Sequence, residues 1–322
     1  KTIKIGLLGL GNIGTGTYKT LEMNRAEIES TLNAKVEIVK ILERDTERDR
    51  GITVPKEKFT SDPDEIFQDP EIDIVIELLG GIEPATTFML SALKNGKHVV
   101  TANKAALAAN YHELVDTAKE NNVILRYEAS VGGGIPILGT LTGPLRANKF
   151  EEVMGILNGT TNYILTMMTK EGLDYETALK DAQEQGFAEA DPTADVEGID
   201  AANKLTILMA LMFDKYVAPQ DIPTTGITEI TKEKIEEARS NGCKIKLIAH
   251  AWREDDEIKY EVRPMYISAT HPLANINKEF NAVFVKGNAV DDVMFYGKGA
   301  GPLPTGSAVL GDVIDISMMI LK

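Results

Sequence analysis

Between Gly186 and Lys204 the chain reads Gly-Phe-Ala-Glu-Ala-Asp-Pro-Thr-Ala-Asp-Val-Glu-Gly-Ile-Asp-Ala-Ala-Asn-Lys. Glu189, Asp191, Asp195, Glu197 and Asp200 precede Lys204, and from Leu205 to Phe213 only Thr206 is polar. Such a run predicts a helix buried on most sides. Asp200 and Lys204 lie four residues apart, which puts them on one helix face with the acid on the N-terminal side. On an exposed helix this would be an ordinary surface ion pair of little worth. On a buried one, an amine beside carboxylates is a candidate proton carrier.

A second constellation opens the chain. Ile3–Leu8 is an apolar strand run leading at once into Gly9-Leu-Gly11-Asn12-Ile13-Gly14. G-x-G-x-x-G between a strand and a helix is the setting in which the pattern binds a dinucleotide, the glycines admitting a pyrophosphate to the helix N-terminus. The bland alternative is a glycine-rich turn without a ligand. The next strand, Val36–Leu42, ends in Glu43-Arg44-Asp45. A carboxylate there suits a ribose 2′-hydroxyl and an arginine suits a 2′-phosphate. Both are present, so NAD and NADP stay open, with Arg44 tilting the choice toward NADP.

The elements that must position these groups alternate through the first part. Asp73–Leu79 is a third strand, ending before Gly80-Gly81, and His98–Thr101 a fourth, with Asn103-Lys104 just beyond it. A helix over 105–121 leads to a fifth strand, Val123–Tyr127. Strands alternating with helices predict a doubly wound parallel sheet whose ligands bind beyond the carboxyl ends of the strands. Lys104 stands where that rule places functional residues, although a lysine after a strand is commonly just a polar loop residue. Glu128-Ala-Ser-Val-Gly-Gly-Gly-Ile-Pro136 follows, and its three glycines mark either a hinge or a backbone that bends around a ligand. A carboxylate with free carbonyls could hold a hard cation there.

The second part is α+β. A helical run at 137–148 and a strand at 150–157 lead into Asn158-Gly159-Thr160-Thr161-Asn162, whose small polar residues suit substrate hydrogen bonding or a helix cap. Helices at 161–170 and 175–185 precede the acidic stretch. Strands at 244–252, 258–267 and 282–286 then alternate more clearly and predict an antiparallel sheet with one covered face. A last helix, 307–321, is apolar enough to pack back on the first domain. The expected domains are 1–134, joined by 300–322, for the dinucleotide, and 135–299 for substrate, catalysis and dimerisation.

Composition narrows the class. Thirty-four basic against 49 acidic residues give a net charge of −15, which repels nucleic acid and anionic membrane alike. No uninterrupted apolar run reaches the roughly 18–20 residues of a membrane span. A strand pattern beginning at the first residues leaves no room within them for a signal peptide. Cys243 is the single cysteine, so no intrachain disulfide forms, which fits a reducing, cytoplasmic location. None of the four histidines has a partner at zinc-ligand spacing, and no nucleophile-elbow motif occurs.

Taken in order, several of these stretches resemble homoserine dehydrogenase over the whole length. They are Gly9-x-Gly11-x-x-Gly14, Thr101-Ala-Asn-Lys104, Tyr127 to Pro136, Gly155-Ile-Leu-Asn-Gly-Thr160, Gly186 to Pro192 with Asp195, Gly198-x-Asp200-x-x-x-Lys204, and Gly299-Ala-Gly301. The resemblance implies interconversion of L-homoserine and L-aspartate 4-semialdehyde with NAD(P), on the way to threonine and methionine, by a homodimer. It implies that Lys204 exchanges the substrate hydroxyl proton, that Asp200 orients Lys204 and touches substrate, and that Glu189 holds the substrate ammonium. Asn158, Gly159 and Thr160 join as substrate-binding candidates. Lys104 falls at the nicotinamide–substrate junction, in binding or in proton transfer. Gly9, Gly11, Asn12, Ile13, Gly14, Arg44, Gly80, Thr101, Gly186 and Gly301 complete the expected cofactor site. Glu128, with the carbonyls of Val131, Gly133 and Ile135, matches the family's monovalent cation site, commonly sodium. Many members carry a further amino-acid-binding regulatory domain, which is not expected within these residues.

Overall fold

The structure is a computed structural model describing residues 1–322. The chain divides into two units, Lys1–Gly134 with Ala300–Lys322, and Ile135–Gly299.

The first unit is built on β1 (Thr2–Leu8), α1 (Asn12–Leu32), β2 (Lys35–Leu42), β3 (Phe59–Thr60), α2 (Asp64–Phe67) and β4 (Ile74–Glu77). α3 (Ala85–Lys94), β5 (His98–Thr101), α4 (Lys104–Ala109), α5 (Tyr111–Glu120) and β6 (Leu125–Arg126) follow. The strand order is β3-β2-β1-β4-β5-β6 and every pairing is parallel. This is the doubly wound arrangement expected from the alternating pattern. Ile3, Ile5 and Leu7 of β1, with Ile74 and Ile76 of β4, have no solvent exposure, as a sheet covered on both faces requires. Each such side chain contributes roughly 1.5–3 kcal/mol by leaving water. The expected helix over 105–121 is two helices, broken at Asn110, whose φ of −128° lies outside the helical range.

The second unit runs α6 (Leu138–Thr142), β7 (Phe150–Ile156), α7 (Gly159–Glu171), α8 (Tyr175–Glu184), α9 (Thr193–Val196), α10 (Ile199–Phe213), α11 (Lys232–Ser240), β8 (Cys243–Glu254), β9 (Glu257–Ser268), β10 (Phe280–Gly287) and β11 (Asp291–Lys298). Its sheet has the order β11-β10-β7-β8-β9 and is antiparallel throughout. α6 is much shorter than the 137–148 run expected from sequence. The strand β11 and the helix α11 add to the elements expected from sequence.

The last helix, α12 (Pro302–Ile320), belongs to the first unit and lies along α1. Small residues set that contact: a Cβ on Gly16 would collide with the Pro302 carbonyl, and one on Gly306 would sit 2.8 Å from the Thr17 nitrogen. α12 is the one helix long and apolar enough to cross a bilayer, and Val309, Val313 and Ile316 on it are buried in the core of the unit.

Candidate active site

Lys204 and Asp200 sit in the first turns of α10, 8% and 7% exposed. The helix is enclosed because its residues 205–209 are all buried, so both charges must be satisfied internally. Lys204 Nζ donates to Asp200 Oδ2 at 2.6 Å and to the Leu157 carbonyl at the end of β7, also at 2.6 Å. Gly198, at φ 84°, begins the helix; a Cβ there would fall 2.9 Å from Thr224 Cγ2, so glycine serves both the left-handed turn and the close approach.

Asn158 ties this pair to the next element. Its Oδ1 caps α7 by accepting from the Thr161 amide at 2.9 Å, while Nδ2 donates to Asp195 Oδ1 at 2.6 Å and Asp200 Oδ2 at 2.9 Å. The side-chain amide is therefore spent within the protein. Asp200 Oδ2 is left accepting from an ammonium and an amide at once. Asp195 enters this network although its sequence position gave it no role. Gly159 admits the Glu279 carbonyl, 2.8 Å from where its Cβ would lie, and the Thr160 hydroxyl donates to the Phe187 carbonyl. Glu189 stands exposed on the loop after Gly186, which has φ 80° and open space beside it.

In the first unit, Gly9 turns with φ 94°, and a Cβ on Gly14 would strike its carbonyl. A Cβ on Gly11 would meet nothing within 4 Å, so the approach to the loop stays clear for a bulky group. α1 begins there without a side-chain cap and without an acid in its first turn, leaving amides and the helix dipole to meet an anion. Asn12 is exposed and Ile13 half-buried beside it. These features fit a pyrophosphate. The Glu43 carboxylate accepts from the Leu10 amide at 3.1 Å, from the Arg44 and Asp45 amides at 2.8 and 3.1 Å, and lies 3.4 Å from Arg50 Nη2. Arg50 also donates through Nε to the Leu10 carbonyl at 2.7 Å, a role no local sequence signal announced. Arg44 is exposed.

Lys104 begins α4, half-buried, behind Asn103, whose Oδ1 caps that helix by accepting from Ala106 at 3.1 Å. Thr101 is fully buried, and Gly80 lies exposed at φ 79°. Gly301, at φ 109°, precedes α12. Glu128 opens a short 3-10 turn, and its amide donates to Asp312 Oδ2 at 2.8 Å. Burial, reinforced by the Glu128 charge, pushes the Asp312 carboxyl up to about 7. Val131 and Gly133 follow on that turn, Gly133 at φ 54°. In the second unit the Ile135 carbonyl accepts from Ile137 at 2.8 Å.

Residues 9–128 match the family model described as homoserine dehydrogenase, NAD binding domain, and residues 136–314 match the homoserine dehydrogenase model. A homoserine dehydrogenase of Bacillus subtilis (strain 168) is 45% identical over 316 residues, covering 98% of this chain and 73% of that relative. The crystal structure of a homoserine dehydrogenase from Thiobacillus denitrificans superposes with a TM-score of 0.96 at 42% identity, over 99% of this chain and 74% of that one. The chain belongs to the homoserine dehydrogenase family. A hyperthermophilic archaeal homoserine dehydrogenase in complex with NADPH shares the fold at a TM-score of 0.83 and 25% identity, covering 99% of this chain and 98% of that one. The enzyme is thus an NAD(P)-dependent oxidoreductase that interconverts L-homoserine and L-aspartate 4-semialdehyde, in the biosynthesis of threonine and methionine. Homoserine dehydrogenases pair the nicotinamide cofactor with a small amino-acid substrate, and the acidic composition argues against nucleic acid as a partner.

Proposed function

We propose that Lys204 is the proton carrier of the homoserine reaction. The observation that carries this is the enclosed Lys204–Asp200 pair, whose amine donates to a carboxylate and to a backbone carbonyl. In the oxidative direction the neutral Lys204 amine takes the substrate hydroxyl proton and becomes the ammonium held by Asp200, and in the reductive direction that ammonium returns the proton to the oxygen. When bound, the nicotinamide accepts or supplies the hydride. Asp200, pinned by Asn158, fixes the amine and touches substrate; Glu189 answers the substrate ammonium; Gly159 and Thr160 line the approach. Lys104 acts on the cofactor side, in binding or as a second proton donor.

The pyrophosphate is assigned to Gly9, Gly11, Asn12, Ile13 and Gly14, with Gly80, Lys104, Gly186 and Gly301 completing the cofactor contacts and the buried Thr101 supporting them from the end of β5. NADP is the favoured cofactor. Glu43 is fully engaged with backbone amides and Arg50, which withdraws it from a ribose hydroxyl, while Arg44 remains exposed to meet a 2′-phosphate. A sodium ion is assigned to Glu128 and the carbonyls of Val131, Gly133 and Ile135. Asp312 Oδ2, which accepts from the Glu128 amide at 2.8 Å, holds the backbone of that turn in place. A cytosolic homodimer through the antiparallel sheet completes the reading.

One assay tests these cofactor assignments: L-homoserine oxidation followed by nicotinamide absorbance with NADP+ or NAD+, with and without sodium. Wild-type protein should favour NADP+, Arg44→Ala should lose most of that preference, and Glu128→Ala should lose its response to sodium. Equal cofactor preference in wild type and Arg44→Ala would remove Arg44 from the assignment, and an unchanged sodium response in Glu128→Ala would remove the ion.

A further inference from the structure

Glu77 ends β4 at the carboxyl edge of the parallel sheet and has no solvent exposure. Its Oε2 accepts from the Thr101 hydroxyl at 2.7 Å, which joins the end of β4 to the end of β5. Its Oε1 accepts from the Leu79 amide at 2.7 Å, which turns the chain into Gly80-Gly81. The Thr101 oxygen in turn accepts from the Asn103 amide at 2.9 Å, and Asn103 Nδ2 donates to the Gly81 carbonyl at 2.7 Å. One buried carboxylate therefore closes a ring of hydrogen bonds through two loops. Both loops lead to groups assigned to the cofactor: Gly80, whose Cβ would meet nothing within 4 Å, and Lys104, one residue after Asn103.

Burying a carboxyl in this way is unfavourable unless its partners are retained together. Burial pushes the Glu77 carboxyl up, and the Thr101 and Asn103 side chains with the Leu79 and Gly80 amides oppose that shift. An apolar residue would fill the same core position beside Ile76 without that cost. The Thr101 hydroxyl is spent inside this ring, so its contribution to the cofactor site passes through Glu77.

We propose that Glu77 is a positioning residue of the dehydrogenase, the buried latch that holds the 78–81 loop and Asn103-Lys104 in the arrangement that grips the nicotinamide end of the cofactor. The inference rests on the reading that these loops face the dinucleotide. It is tested by NADPH fluorescence titration, steady-state kinetics and thermal unfolding of Glu77→Leu, Glu77→Gln and Thr101→Val, with Gly11→Val as the reference for a blocked phosphate loop. Glu77→Leu should raise the NADPH Kd about tenfold or more and raise the cofactor KM. Its homoserine KM at saturating cofactor should stay within about twofold of wild type. Thr101→Val should shift the cofactor Kd in the same direction by less, and Glu77→Gln, which keeps an acceptor for Leu79, should recover most of the affinity. Folded Glu77→Leu with a wild-type NADPH Kd overturns the proposal, as does an equal rise in both KM values. If Glu77→Leu does not fold, wild-type NADPH affinity in Thr101→Val overturns it instead. Should Gly11→Val also bind NADPH normally, the cofactor reading itself fails and the latch with it.

Discussion

At the scale of single residues, the site is a matter of where each polar atom is spent. Asn158 has one carbonyl and two amide hydrogens inside the protein, and all three are used, on Thr161, Asp195 and Asp200. It holds Asp200, and Asp200 holds Lys204, so under the proposed role of Lys204 it acts on the reaction through both. Asn158→Ala removes a helix cap, worth about 0.5–2 kcal/mol, and hydrogen bonds to two carboxylates. The expected result is a loss of about 2–4 kcal/mol in stability, together with a fall in kcat; unchanged unfolding and turnover would show that the bridge is idle. Lys204 and Asp200 were legible because the four-residue spacing and the apolar continuation are both local signals. Asp195 and Arg50 were not. Their partners, Asn158 and Leu10, lie 37 and 40 residues away, and no periodicity encodes such a contact.

At the scale of elements, the parallel strands were readable because a sheet covered on both faces is written as continuous apolar runs. β11 escaped because Val293, Met294, Phe295 and Tyr296 put apolar groups on both faces, with Met294 and Tyr296 exposed, so no period of two stands out. The 105–121 run hid its break because Asn110 is a tolerable helix residue whose side chain instead donates to Thr86 and the Ala106 carbonyl. β8 holds a feature that sequence could not announce. Lys246 is 2% exposed, donating to Asn162 Oδ1 at 3.1 Å and to the Ile276 carbonyl. Burial, followed by the charges of Lys244 and Lys170, pulls its amine down to about 7 from 10.5. The folded value lies below the unfolded one, so between those limits the unfolded chain binds the extra proton and stability rises with pH. Relative to Lys246→Met, denaturant unfolding of the wild type should gain at most about 1.4 kcal/mol per pH unit across that window. Parallel stability curves for the two proteins would show that Lys246 does not titrate there.

At the scale of the whole molecule, the two units divide the chemistry: one carries the dinucleotide loop and the other the Lys204 pair. The antiparallel sheet also carries Tyr296, 56% exposed and stacked on Phe280 at 5.2 Å, beside the exposed Met294. Apolar exposure of that kind on one face suits a second copy of the chain. Sedimentation should find a dimer that Met294→Glu with Tyr296→Glu weakens at least tenfold; a wild-type monomer at micromolar concentration would remove the sheet from that role. The proposed role of Lys204, moving the proton, belongs to the second unit alone. Its most direct test is the turnover of Lys204→Met with L-homoserine and NADP+, measured beside its NADPH affinity. Loss of about 10²–10⁴ in kcat with wild-type NADPH binding is the predicted outcome. Near-wild-type turnover by the folded variant would contradict it.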